Sequence, residues 1–402
     1  MNTSLTPAGS LMAYVGSYGA YPGAEGGGIY RLSVADDGMH LALVDHLSSP
    51  VEAGYLLYAA DTSTLYAVDE RKTDGMGPVN PPAAVHALRL DPITGQLSTL
   101  NWQPAPGPRP TFLAYSPQNR LLISANHGDF QHVEKVVRDD QGNWTTRYEY
   151  DDSTAVVYQV EAQGSLMCIA DVLILQGHGR DPNGSVQNGG HAQASAHAHC
   201  AVVDPSEQYL LVCDKGTDRI YVYALARRPE LISVCQLEAE TAPRHLVFSS
   251  QSQAYMTLEL SSELVALAFD VLTGTLKVTD RCMTVDEHFT GLNEPAEVRV
   301  HPNGRYVYVN NRGEDSLAWF EVLGNGRLQR RGAVPLARSI HPGLAARSFA
   351  FAPNGDFMLV ADRPGHRVRA YAVNPHEGSL EWLTEIEVPD PVYIEFARLT
   401  GQ

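Results

Sequence analysis

Short apolar runs recur along this chain between polar turns. Ile220-Tyr221-Val222-Tyr223-Ala224-Leu225 and Val368-Arg369-Ala370-Tyr371-Ala372-Val373 alternate or run apolar as strands do, and no convincing amphipathic helix interrupts them. Ala198-His199-Cys200-Ala201-Val202-Val203-Asp204-Pro205 leads into Tyr209–Asp214 and then Arg219–Tyr223, which reads as strand, turn, strand, turn, strand. The arrangement returns downstream. Pro302-Asn303-Gly304-Arg305 precedes Tyr306–Gly313, and Pro353-Asn354-Gly355-Asp356 precedes Phe357–Arg363. Degenerate copies sit at Ser250–Gln253 and Pro117–Arg120.

The turn markers at 205, 250, 302 and 353 are spaced by 45, 52 and 51 residues. That period matches the ~40–50 residues of a four-stranded propeller blade. Seven blades are counted, so the chain is expected to be all-β, a single seven-bladed β-propeller domain over residues 1–402. The third blade starts at Phe112, the fourth at His199, the fifth at Arg244, the sixth near Ala296 and the seventh at Arg347. The first blade lacks an innermost strand of its own. The tail Pro391-Val392-Tyr393-Ile394-Glu395-Phe396 is expected to supply it, because an open ring would leave strand edges unpaired. Pro117 to Pro205 is 88 residues, too long for a blade, and the excess is assigned to loop insertions at 129–150 and 176–195.

Composition narrows the function. A net charge of -17 argues against general nucleic-acid binding and against an anionic membrane surface. It leaves room for a small anionic ligand if basic residues gather in one cleft. Five scattered cysteines form no C-x-x-C pair, and Met1–Leu11 lacks a basic segment followed by an apolar one. Both point to a reducing cytoplasm.

Antiparallel geometry selects candidate site residues. The start of an innermost strand and the end of the second strand lie at the same end of the ring. Starts carry His199, Arg244, His245 and Arg347, with Arg109 just upstream of another; second-strand ends carry Glu70, Asn126, Asp214, Glu259, Arg312 and Asp362. These are expected to line one mouth of the central channel. Blander roles exist for each: Asp214 and Asn126 as turn residues, Arg109 as a loop residue, and Arg244, Glu259 and Arg312 as a structural ion-pair network. His191, His197 and His199 have the look of a metal cluster, but one of them sits in a Gly/Ala/Ser-rich loop. No metal and no cofactor is assigned.

At these residues the chain resembles the seven-bladed β-propeller lactonases, which include the propeller type of 6-phosphogluconolactonase and the fungal carboxy-cis,cis-muconate cyclase. The resemblance is carried by His199 six residues before Pro205, Asp218-Arg219-Ile220, Pro243-Arg244-His245, Glu259-Leu260-Ser261-Ser262 and Asn311-Arg312. It implies catalytic roles for His199, Glu259, Arg244 and Arg312. Arg347, His245, Asn126, Glu70 and Asp214 are expected around the substrate. The expected activity is metal-independent hydrolysis of an anionic sugar lactone such as 6-phosphogluconolactone, with His199 moving the proton, Glu259 orienting it or activating water, and the arginines binding the anion. A lactonising cyclase for a muconate-type dicarboxylate and a non-catalytic interaction platform are the alternatives.

Overall fold

Thirty strands form among the described residues, and twenty-eight of them build seven four-stranded antiparallel sheets. The computed structural model describes residues 9–19, 26–72, 82–180, 192–324, 326–340 and 344–400. The expected seven-bladed β-propeller is the observed architecture, and its ring closes as anticipated. In blade 1 the strand Pro391–Arg398 pairs with Leu11–Ser17, followed outward by Gly28–Val34 and Leu41–Leu47. Leu11, Val15 and Ile394 pack with Phe357 and Leu359 of blade 7, so the closing strand is held on its face as well as its edge.

Burial falls off radially, and the sequence pattern follows it. In blade 4, Ala198–Val203 and Tyr209–Asp214 are mostly buried, because neighbouring blades cover both faces. The outermost strand, Glu230–Gln236, is mostly exposed. Inner strands therefore read as continuous apolar runs and outer ones as mixed edges.

The repeated turns share a backbone conformation. Glu207, Gly304 and Gly355 take positive φ between the first and second strands of blades 4, 6 and 7. Asp218, Ser262, Asp315 and His366 do so just before the third strands of blades 4 to 7. Asp218 is a latch between blades. Its buried carboxylate accepts the backbone N–H groups of Glu240, Thr241 and Ala242 at 2.8–3.0 Å and the Gln193 amide at 2.9 Å.

One expectation is corrected. The 129–150 insertion is not simply loop: His132–Arg138 and Trp144–Tyr150 pair as an antiparallel hairpin between the second and third strands of blade 3. Its turn is held by Asp139, whose carboxylate accepts the N–H groups of Gln141 and Asn143. Of the 176–195 insertion, residues 181–191 lie outside the described residues.

Candidate active site

Five of the seven innermost strands slip register near the mouth. The bulges fall at Pro110/Phe112, Ala198/Cys200, Pro243/Leu246, Pro295/Val298 and opposite Gly16/Ser17. A regular strand sends alternate side chains to opposite faces, and a bulge relaxes that rule. The residues skipped by the pairing include His199, Arg244, His245 and Glu297. Bulging is thus what allows the consecutive Arg244 and His245 both to join one cluster, Arg244 at Glu259 and the His245 ring beside His199.

Glu259 is the hub. One carboxylate oxygen, Oε1, meets Lys215 Nζ at 2.5 Å; the other, Oε2, pairs with Arg244 and lies 3.1 Å from an Arg312 terminal nitrogen. Arg312 is fixed from behind by Glu294, whose Oε2 lies at 3.0 Å and whose carbonyl accepts Arg312 Nε at 3.1 Å. Glu259, Lys215 and Arg244 are buried. Ions removed from water need close partners to remain charged. Burial alone would raise the Glu259 proton affinity, but Lys215, Arg244 and Arg312 together hold it well below the usual carboxylate range. Burial and the neighbouring Arg312 lower Arg244 to about 10.

A histidine wall adjoins this hub. The His199 ring lies 5.1 Å from His245 and 5.6 Å from His127, which stacks on His197 at 4.4 Å. His199 Nδ1 is buried without a hydrogen-bond partner among the described residues. Burial first, then Arg244, His245, Lys215 and His127, push His199 well below the usual histidine value, so its imidazole is neutral. His245 Nδ1 faces Glu297 Oε1 at 3.5 Å.

Other expected residues sit farther out or are otherwise engaged. Arg347 donates to the Tyr18 hydroxyl at 2.5 Å and lies 3.3–3.4 Å from the Glu70 carboxylate, to which Tyr18 also donates. The Arg347 charge acts on Arg244 and on His245. Arg109 pairs with Asp129 at 3.5 Å. Asn126 donates to the Pro106 carbonyl and to Thr154. Asp214 accepts the N–H groups of His197 and Gly216 and the Thr217 hydroxyl, a capping role. Asp362 accepts Ala337 N–H and pairs with Arg369.

Sequence reasoning missed Lys215, His127, Tyr18 and Glu294. For Lys215 and His127 the observed strand register supplies the rule that the residue types did not. The first and second strands pair Pro110 with Asn126, Ala198 with Asp214, Pro243 with Leu258 and Pro295 with Asn311. One residue beyond each second-strand partner stand His127, Lys215, Glu259 and Arg312. The site cluster draws on this next position, while Asn126, Asp214 and Asn311 before it bond to neighbouring loops and Leu258 packs in the core.

Of the three histidines considered as metal ligands, His191 lies outside the described residues, and His197 is tied to the His127 carbonyl at 2.9 Å. Among the described residues no group of three or more His, Cys, Asp or Glu side chains is placed to hold a metal ion.

Comparisons with known proteins agree with this architecture. The chain is 27% identical over 393 residues to a 6-phosphogluconolactonase of Bacillus subtilis, covering 96% of this chain and 99% of that protein. The periplasmic gluconolactonase of Pseudomonas aeruginosa superposes with a TM-score of 0.78 at 26% identity, covering 97% and 99% of the two chains. A Lactobacillus plantarum protein superposes at 0.79 with 26% identity, covering 96% and 99%. The family model described as "Lactonase, 7-bladed beta-propeller" matches residues 12–396, so the ring and nearly the whole chain belong to the seven-bladed β-propeller lactonase family.

Proposed function

We propose that this chain is a hydrolase of an anionic sugar lactone, 6-phosphogluconolactone being the leading substrate. The observation that carries this reading is the convergence of three cations on Glu259 beside a neutral, buried His199 whose Nδ1 has no partner among the described residues. An interaction platform would not need inward convergence of this kind. Lys215, Arg244 and Arg312 gather in one cluster of a protein whose net charge is -17. Such a local concentration of cations suits an anionic ligand.

In the proposed reaction His199 accepts a proton as water attacks the lactone carbonyl carbon. The tetrahedral oxyanion is stabilised by Arg244 and Arg312. The ring C–O bond then breaks, and the imidazolium returns its proton to the departing ring oxygen, leaving a hydroxy acid. Glu259 serves as the anchor that preorganises the cations, since both of its oxygens are already engaged by Lys215, Arg244 and Arg312. The five cysteines are free thiols, which suits a cytoplasmic setting.

The test is the hydrolysis rate of freshly generated 6-phosphoglucono-δ-lactone over its spontaneous opening, with and without chelator. Chelator-resistant acceleration is expected. It should vanish in His199→Ala and fall roughly 10²–10³-fold in Arg244→Ala, the usual cost of one oxyanion donor. Full activity in a folded Arg244→Ala variant would overturn the assignment.

A further inference from the structure

Lys215 occupies an unusual place in the site. It follows the second strand of blade 4, and its backbone is held on both sides: its N–H donates to the His197 carbonyl at 3.0 Å, and its own carbonyl accepts the Gln193 amide at 2.8 Å. The side chain is only 6% exposed. An ammonium has three donor hydrogens. Among the described residues, the one hydrogen bond seen for Lys215 Nζ goes to Glu259 Oε1 at 2.5 Å. The ring of Phe130 also faces it, centroid 5.6 Å away, and the Lys215 charge acts on His127, His197 and His199. Phe130 belongs to the short segment that joins the blade 3 core to the inserted hairpin. Its ring and the His127–His197 stack form a largely apolar wall beside the ammonium.

Glu259 does not require this third cation for neutrality, since Arg244 and Arg312 already meet its other oxygen. The two guanidinium groups are held in fixed planes by carboxylates, with Arg244 Nε and one Arg312 terminal nitrogen left without hydrogen-bond partners among the described residues for the oxyanion, whereas an ammonium on a flexible stem can turn its remaining hydrogens to a group with several acceptor oxygens. Resting on the lactonase reading above, we infer that Lys215 is a specificity-determining residue that receives the phosphate of a phosphorylated aldonolactone, and so sets the preference for phosphorylated over unphosphorylated substrates.

The test uses the full chain and two stable reaction products, 6-phosphogluconate and gluconate, with affinities measured by calorimetry. The wild type should bind the phosphorylated acid more tightly. Lys215→Met should erase about ten- to hundredfold of that preference, the size expected for lost hydrogen bonds to a charged group. Lys215→Arg should restore part of it. In turnover the loss should appear as a raised KM for the phosphorylated lactone more than as a lower kcat. Equal weakening of both acids in Lys215→Met, or no discrimination by the wild type, would overturn the inference. Should the Met variant not fold, Lys215→Gln carries the same comparison. Absence of lactone turnover would count against the proposed function alone, because the two product affinities decide the role of Lys215 without it.

Discussion

His199 shows how burial sets chemistry at a single residue. A histidine in water changes charge near pH 6.5. Here loss of solvent dominates, and the positive Arg244 and Lys215 add repulsion against a proton. A base of lowered proton affinity is weaker, but it stays in its working form into acid. We expect the kcat/KM profile for lactone hydrolysis to remain flat through pH 6.5 and to fall only well below it. Spontaneous lactone opening slows in that range, which widens the measurable window. A profile that drops with an apparent pKa near 6.5 would mean that His199 is solvated or is not the base. The direction depends on the neighbours as well, so removal of the Lys215 charge should move the acid limb upward.

At the scale of strands and turns, some of the chain was legible and some was not, for one reason: register. The apolar runs and the Pro-Asn-Gly turns at 302 and 353 revealed the blades, because two-sided burial demands continuous apolar strands. Strand-end logic reached Glu259 and Arg312, yet in the same pass selected Asn126 and Asp214 where the mouth-facing neighbours are His127 and Lys215. A shift of one residue reverses the face of a strand. Nothing in the residue types fixes that shift, because Asn and Asp are as polar as the residues that follow them. The bulges, equally invisible in sequence, re-aimed His199, Arg244 and His245 on the innermost strands. The motif Asp218-Arg219-Ile220 is likewise explained by architecture. Asp218 accepts from five donors, four on the loop before blade 5 and the Gln193 amide of the insertion before His199. Asp218→Ala leaves the buried N–H groups of Thr241 and Ala242 without their acceptor, and a loss of about 2–5 kcal/mol is expected from the usual cost per orphaned donor. Equilibrium urea unfolding measures it. The KM should rise too, since Arg244 begins two residues beyond the latch; an unchanged unfolding midpoint would remove Asp218 from this role.

For the whole molecule, circular closure means that no blade is terminal. Removing residues 391–402 leaves blade 1 with three strands and exposes the edge of Leu11–Ser17, which is fully buried in the intact ring. Such a truncated chain should lose its cooperative thermal transition and aggregate on size-exclusion chromatography. A truncated chain that melts as the intact one does would show that the closing strand is dispensable. The packing argues otherwise: Tyr393 is buried against blade 2 and Ile394 against blade 7, and Val392 is buried beside them.

The same strand has a consequence during synthesis. Blade 1 begins with residue 11 and cannot be completed until residue 391 has been added and has cleared the ribosome. Between residues 47 and 391 lie 344 residues of translation, roughly 20–70 s at ordinary elongation rates. Throughout that interval an apolar strand waits with one edge open beside a growing stack of blades, so the nascent chain is at its most adhesive for almost the whole of its manufacture. Slower elongation, through rare codons or low temperature, lengthens that exposure, and a holding chaperone has its clearest target at the amino-terminal blade.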